Sequence, residues 1–358
     1  MYKRQDTETG ELLPDHIEWA KFTGAAWQGD GFYYSAYDRP EAGKEFSNAN
    51  EYHKVYYHKL GTPQSEDKVV YENKNEPLHF HNVDVTDDES TLIVYGGGQG
   101  NGNSMFVKDL RRPDSKWVTV EPSQDNDISV IGARDGKLYM MTSADAPRNR
   151  VVVADIARPQ RAAWRDFVPE DSTAVLVGAQ FAGDKLIATY DKDASHHAYV
   201  VNDKGERVNE IKLPTYGTLR FSTDPKSDEV YYTFSSFSYP PTVYSYDMAT
   251  GDSKVFAKTE LKDFNPEDYV TEQVFYPSAD GTKIPMFITY KKGLQRDGKN
   301  PVYLYGYGGF NITLNPGFSA NRLLWLENGG IYAQANLRGG AEYGEAWHLA
   351  GTKQQKLN

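Results

Sequence analysis

The chain has 358 residues, a length that allows two domains, because a single core seldom grows past about 250–300 residues. Apolar residues make up 39% and charged residues 25%, ordinary values that exclude a chain disordered throughout. With 39 Lys+Arg against 50 Asp+Glu the net charge is −11, and no basic block supplies the footprint that nucleic-acid binding requires.

Cysteine is absent, which removes disulfides, thiolate metal sites and a cysteine nucleophile from this stretch. No run of 18 apolar residues and no signal-peptide core occurs, so no membrane partner is expected. Met1-Tyr2-Lys3-Arg4-Gln5 is what ATG TAT AAG AGA CAG encodes. That resembles a transposase sequencing adaptor, so residues 1–5 are expected to be non-native and native sequence to begin near Asp6.

From residue 6 to 258 short apolar-aromatic runs alternate with polar turns. Phe32-Tyr33-Tyr34 follows Gly29-Asp30-Gly31, Leu92-Ile93-Val94-Tyr95 follows Asp87-Asp88-Glu89-Ser90, and Leu138-Tyr139-Met140-Met141 follows Arg134-Asp135-Gly136. Leu186-Ile187-Ala188 and Val230-Tyr231-Tyr232 repeat the pattern, which reads as strand, turn, strand. A second run follows each one and ends at Lys59, Asp109, Asp155, Asn202 and Asp247, in steps of 50, 46, 47 and 45 residues. About four short strands per unit of this period is the mark of a β-propeller blade, and about five blades are visible. The alternative, one large β-sandwich, requires the four near-equal steps to be accidental.

The pattern changes near residue 258. A polar linker over Asp263–Asp268 leads to a strand at Glu272–Tyr276, a turn at Ser278–Gly281 and a strand over Lys283–Tyr290, which together read as a hairpin. Pro301–Tyr305 reads as a short buried strand and Asn321–Asn328 as a helix stopped by Gly329-Gly330. Ile331–Leu337 reads as a further strand, and a second helix is expected around Ala346. Strands separated by a helix predict the start of an α/β domain over residues 259–358.

Tyr305-Gly306-Tyr307-Gly308-Gly309-Phe310 carries the strongest chemical signal. Its glycines allow close backbone approach to a ligand, and a tyrosine hydroxyl there can donate to a developing oxyanion. A tight turn over packed aromatics is the competing reading. The stretch Tyr303–Ile312 resembles the oxyanion loop of the prolyl oligopeptidase family of serine peptidases. Ala335–His348 resembles the segment after it, with Ala341 where the family usually has a third glycine. Tyr276–Phe287 resembles the start of the family's hydrolase domain, and Tyr56–Asp67 one of its propeller segments. The resemblance implies a seven-bladed propeller capping an α/β-hydrolase, of which about five blades and the hydrolase start are present here.

By the same resemblance Tyr307 is the oxyanion donor, and Phe310 and Ile312 line a proline pocket; Tyr305, at the strand end, is expected to pack inside. The implied activity is serine-type cleavage of short peptides after proline. The propeller acts as a size filter, no cofactor is involved, and the full-length enzyme is a monomer. Neither a cytoplasmic nor a periplasmic location is singled out. The family nucleophile sits in a Gly-x-Ser-x-Gly elbow, and none occurs in these residues. Gly317-Phe318-Ser319-Ala320-Asn321 lacks the last glycine, and Ser319 reads as a helix cap. The catalytic Asp and His follow the nucleophile in such chains, so no triad member is assigned and this stretch alone is expected to be inactive. A propeller-based scaffold with a degenerate hydrolase half is the alternative.

The remaining motifs carry less. Gly96–Gly102 has no following Lys-Ser/Thr and reads as a blade turn, not a phosphate loop. His79, His81, His196 and His197 read as surface or pore-lining residues, because no carboxylate stands at metal-helix spacing. His348 reads as structural. The acidic blade turns lack the spacing of a calcium loop.

Overall fold

The computed structural model describes residues 2–98 and 100–357. The chain forms two compact units. One comprises the residues up to Ala144 together with Val152–Asp166, the other Asp145–Val151 and the residues from Phe167 onward.

An opening antiparallel pair joins β1 (Tyr2–Gln5) to β2 (Leu12–Ile17). Residues 2–5, expected from the sequence to be non-native, therefore make a strand. Five four-stranded sheets follow. The first holds β3 (Ala26–Gln28), β4 (Gly31–Ala36), β5 (Lys54–Lys59) and β6 (Lys68–Glu72). The second holds β7 (Phe80–Val85), β8 (Thr91–Gly97), β9 (Ser104–Asp109) and β10 (Val118–Glu121). The third holds β11 (Ile128–Arg134), β12 (Lys137–Thr142), β13 (Arg150–Asp155) and β14 (Arg165–Val168). The fourth holds β15 (Val175–Ala182), β16 (Lys185–Lys192), β17 (Ser195–Val201) and β18 (Arg207–Ile211). The fifth holds β19 (Thr218–Thr223), β20 (Glu229–Ser235), β21 (Thr242–Asp247) and β22 (Ser253–Lys258).

In each sheet the strands pair in chain order, as the repeating strand-turn-strand pattern requires of propeller blades. The reason is local. Turns such as Asp135-Gly136 between β11 and β12 offer residues that take positive φ, and the strands that follow either alternate buried and open side chains, as in β12 and β20, or are buried almost throughout, as in β4, β8 and β16. Adjacent sheets then close on apolar layers. Ile93, Met105 and Val107 of the second pack with Leu138, Met140 and Val152 of the third. Ile187, Ala198 and Val200 of the fourth pack with Leu219, Tyr232 and Phe234 of the fifth.

The last sheet has a different order. β23 (Tyr269–Pro277) and β24 (Lys283–Lys291) form the expected hairpin, and β25 (Val302–Tyr307) is followed by helix α1 (Ala320–Glu327) and β26 (Ile331–Asn336). The spatial order is β23-β24-β26-β25, with β25 and β26 parallel. A crossover through α1 is what a parallel pair needs. Leu323 and Leu326 anchor α1 on Phe287 and Tyr332 of the sheet. The short helix α2 (Glu345–Leu349) lies at the expected place.

Four expectations change. The stretch at Pro301–Tyr305 is not a buried strand: β25 sits at the sheet edge, bonded on one side only, and every one of its residues is exposed. Its apolar run imitates a strand covered on both faces. Tyr305 is therefore 41% exposed and does not pack inside. Ser319 occupies the N-cap of α1, yet its side chain makes no capping bond. His81 is buried, not at the surface. Its backbone N–H donates to His53 Nδ1 at 2.9 Å, and its own Nδ1 lies 2.8 Å from the His53 carbonyl. The glycine segment at Gly96–Gly102 ends β8 and leads into β9, with Gln99 outside the described residues.

The first unit also buries a charged cluster that the sequence did not announce. His58 lies between two carboxylates, Nδ1 at 2.8 Å from Asp67 and Nε2 at 3.2 Å from Asp15. Arg4 and the Gly61 N–H donate to Asp15, and Tyr34 donates to Asp67. Burial raises the Asp15 pKa, but the donors at Gly61, Arg4 and His58 outweigh it and hold the carboxyl at about 2. A depressed carboxylate adds stability above its unfolded pKa and loses it as pH falls through the folded value. Asp15→Asn is expected to lower stability by on the order of 3 kcal/mol at neutral pH. It should also flatten the decline in melting temperature between about pH 4 and pH 2, as read by thermal melts across that range.

Candidate active site

β25 ends at Tyr307, paired with Asn336 at the end of its parallel neighbour β26. Both strands run out into glycine-rich loops at the carboxyl edge of the sheet, the edge where open α/β sheets bind ligands. The loops meet backbone to backbone. A Cβ on Gly308 would stand 2.6 Å from both the Arg338 carbonyl oxygen and Leu337 Cβ, and one on Gly339 2.4 Å from the Gly308 carbonyl oxygen. Gly339 also takes a φ of +100°, which side chains disfavour.

The contact is bonded as well as close. The Asn311 N–H donates to Gly339 O at 3.1 Å, and Lys356 Nζ donates to the carbonyls of Gly308 and Arg338. Phe310 and Asn311 both hold positive φ, 54° and 56°, a strained pair that persists only where neighbours fix it.

The arrangement leaves three side chains open. The Tyr307 hydroxyl makes no hydrogen bond among the described residues, and the residue is 37% exposed. Phe310 is 85% exposed and Ile312 49%. One loop thus presents a phenol donor and two apolar side chains. A separate cavity of about 500 Å3 is lined by Tyr303, Tyr305, Ser319, Arg322, Trp325 and Tyr332 among others; Tyr307 lies outside it.

The second loop is locked from the other side. Arg338 is buried and makes a bidentate pair with Asp280 of the β23–β24 turn, Nη1 to Oδ2 at 2.5 Å and Nη2 to Oδ1 at 3.1 Å. It also donates to Ser278 and Thr282. The Arg338 guanidinium and the Thr282 N–H hold the Asp280 carboxyl well below the usual range. His348 Nδ1 lies 2.8 Å from Gly339 O, which makes it part of the loop's support.

Below the first loop lie two buried carboxyl groups that sequence reasoning missed. Glu342 Oε1 accepts from the Leu314 N–H at 3.3 Å and from Asn336 Nδ2 at 3.2 Å. Asp191, at the end of β16, accepts from Asn315 Nδ2 at 2.7 Å. Neither has a cationic partner within ion-pair distance among the described residues. Burial raises both pKa values, Asp191 to about 7. Isolated Asp and Glu residues in a sequence of this composition give no signal of burial, and the turn that follows Asp191, Asp193-Ala194, has no glycine to mark it. That turn takes positive φ at both residues, 51° and 63°, as a two-residue hairpin turn does. It inserts Ala194 among Phe237, Tyr269, Phe287 and Tyr332.

The comparisons with known proteins agree with this architecture. Residues 3–259 match the family model described as the prolyl oligopeptidase N-terminal β-propeller domain. The chain belongs to the prolyl oligopeptidase family. A second match, to the prolyl oligopeptidase family model itself, covers residues 316–358. The Tyr307 loop falls between the two matched segments.

The chain is 43% identical over 355 residues to a prolyl endopeptidase of Elizabethkingia meningoseptica, covering 99% of this chain and 50% of that protein. A solved structure from a study of two prolyl endopeptidases and the role of inter-domain dynamics superposes with a TM-score of 0.89 at 38% identity. It covers 98% of this chain and 52% of that one. Prolyl oligopeptidase B from Galerina marginata, bound to a 35mer hydrolysis and macrocyclization substrate, gives a TM-score of 0.89 at 28% identity, covering 98% and 50%. The chain spans about half the length of the curated relatives it matches.

Two outcomes are expected at this site. Gly308→Ala drives a methyl group into backbone and should cost about 1–3 kcal/mol, visible as a lower melting temperature of the purified chain. Asp191 contributes in the opposite sense to Asp15, because its pKa is raised on folding. The unfolded chain loses the proton first, so stability falls as pH rises from about 4 through about 7. Glu342, Asp193 and Tyr343 face this carboxyl. Asp191→Asn should remove that slope in thermal melts taken between those limits.

Proposed function

We propose that this chain supplies the propeller and the oxyanion loop of a serine-type endopeptidase that cleaves short peptides on the carboxyl side of proline. The observation that carries the proposal is the free Tyr307 hydroxyl, held at the carboxyl edge of a parallel strand pair by loops that meet backbone to backbone. Attack on a peptide carbonyl puts negative charge on its oxygen, and a preorganised donor at that point lowers the barrier. In the α/β-hydrolase plan one donor is the backbone N–H after the nucleophile and the other comes from the loop after the third strand. β25 is the third strand of its sheet in chain order, and Tyr307 opens that loop.

Phe310 and Ile312 stand beside Tyr307 with their side chains open, and an aromatic ring packs well on a pyrrolidine. The five blades act as a size filter that admits peptides and keeps folded proteins out. No Gly-x-Ser-x-Gly elbow lies in these residues, and acyl transfer requires an activated nucleophile beside its base.

Two measurements test the reading. The 358-residue chain alone should neither take up a fluorophosphonate probe nor turn over a proline-linked fluorogenic peptide, whereas a peptidase-length protein carrying it should do both. In that longer protein Tyr307→Phe should lower kcat by about 10²–10³ with little change in KM. Phe310→Ala should raise KM by a factor corresponding to roughly 1–3 kcal/mol. Specific labelling of Ser319 in the short chain, or a Tyr307→Phe enzyme with unchanged kcat, would sink the proposal. A peptidase-length protein that binds proline peptides without hydrolysing them would point to a scaffold.

A further inference from the structure

The Tyr307 loop leaves the sheet edge and returns to α1 through residues 313–319, a stretch without regular structure. Such a stretch holds its position only if its backbone groups are bonded to something fixed. Leu314 is bonded at both ends. Its N–H donates to Glu342 Oε1 at 3.3 Å, and its carbonyl accepts from Asn336 Nδ2 at 2.8 Å and from Gln334 Nε2 at 3.0 Å. Glu342 and Asn336 are themselves joined at 3.2 Å, so Glu342, Asn336 and Leu314 close a small ring of hydrogen bonds. The next residue, Asn315, donates to Asp191 Oδ2 at 2.7 Å and to the Ala194 carbonyl at 3.2 Å.

Glu342, Asn336 and Asp191 are all buried to at least nine-tenths. Glu342 Oε2 and Asp191 Oδ1 have no hydrogen-bond partner among the described residues. Burying a carboxyl group without a cation is costly, and hydrophobic residues of the same size would fill the space without that cost. Both side chains are closed off from solvent, so neither reaches the open face of the loop. What both do is accept hydrogen bonds from the two residues that follow Ile312 and Thr313.

We propose that Glu342 and Asp191 are positioning residues that clasp Leu314 and Asn315, one from beneath the sheet edge and one from the fourth blade, and so fix the Tyr307 loop for catalysis. The proposal rests on the reading of Tyr307 as oxyanion donor. With the Asn311 N–H bond to Gly339 O on the near side, the clasp on the far side holds two successive residues in strained conformation, Phe310 and Asn311. It also ties the oxyanion donor to the Asp193-Ala194 turn, which is set among Phe237, Phe287 and Tyr332. Tyr343 adds to this tie by donating to Asp193 Oδ1 at 2.6 Å.

A double-mutant cycle in a peptidase-length protein carrying this chain tests the clasp. Glu342→Ala should lower kcat by about 10²-fold with KM unchanged, the cost of a catalytic group displaced by about an ångström. Glu342→Gln keeps the accepting oxygen and should restore kcat to within about threefold of wild type. The readout that separates positioning from structure is the background. Once Tyr307→Phe has removed the donor, Glu342→Ala should cost no more than about threefold further.

Equal losses in the two backgrounds would overturn the clasp and leave the oxyanion reading standing. A Tyr307→Phe enzyme with wild-type kcat would overturn both. If Glu342→Ala does not give the native near-ultraviolet circular dichroism, Asn315→Ala, on a half-buried residue, takes its place in the same cycle. An Asn315→Ala loss of the same size with and without the Tyr307 hydroxyl would overturn the clasp in the same way.

Discussion

Two glycine loops that touch through their backbones set the terms for the rest of the hydrolase part. Gly308 and Gly339 approach so closely that neither has room for a methyl group. The strands that deliver them must therefore end in register, which the β25–β26 pairing of Tyr307 with Asn336 supplies. That register in turn depends on α1 returning the chain at the right height, with Leu323 and Leu326 seated on Phe287 and Tyr332. The bidentate Arg338–Asp280 pair fixes the far side of the same contact. A side chain placed between the loops would separate the phenol from the strand end that aims it.

The second constraint comes from the fourth blade. A hairpin turn of two residues with positive φ drives Ala194 into an apolar cluster made mostly from the last sheet and α1. Asp191 before the turn and Asp193 within it then become hydrogen-bond acceptors for Asn315 and Tyr343. Blade and sheet are thus joined by a turn whose backbone conformation is itself unfavourable for alanine and aspartate. Packing offsets that strain, and burial pushes the Asp191 carboxyl up to about 7.

The period of roughly 47 residues was legible because each blade repeats the same local problem. A polar turn starts a strand, the strand carries a short apolar-aromatic run, and the next turn stops it. The last sheet was legible in its elements but not in its exposure. Val302 to Tyr307 has the composition of a strand covered on both faces, and composition cannot tell which neighbours are present. The loop itself stood out in the sequence through its glycines, and Tyr307, Phe310 and Ile312 lie together on it with open side chains. Glu342 and Asp191 did not stand out, because a carboxylate's burial depends on packing between residues 151 positions apart. The His58 cluster was hidden for the same reason: Asp15, His58 and Asp67 are neutral to any local pattern.

The sheet orders also set a sequence of events in folding. Within each blade every strand pairs with the one made just before it, so closure is local and entropically cheap. The β25–β26 pair is different. Its partners are parallel, related by a crossover through a helix, and aligned residue for residue across a separation of 29 positions. Ordering of the blades should therefore run ahead of that pairing. The glycine contact at the end of the two strands then belongs to the latest step in the chain's assembly, and the conformation of the Tyr307 loop is the last thing the molecule acquires.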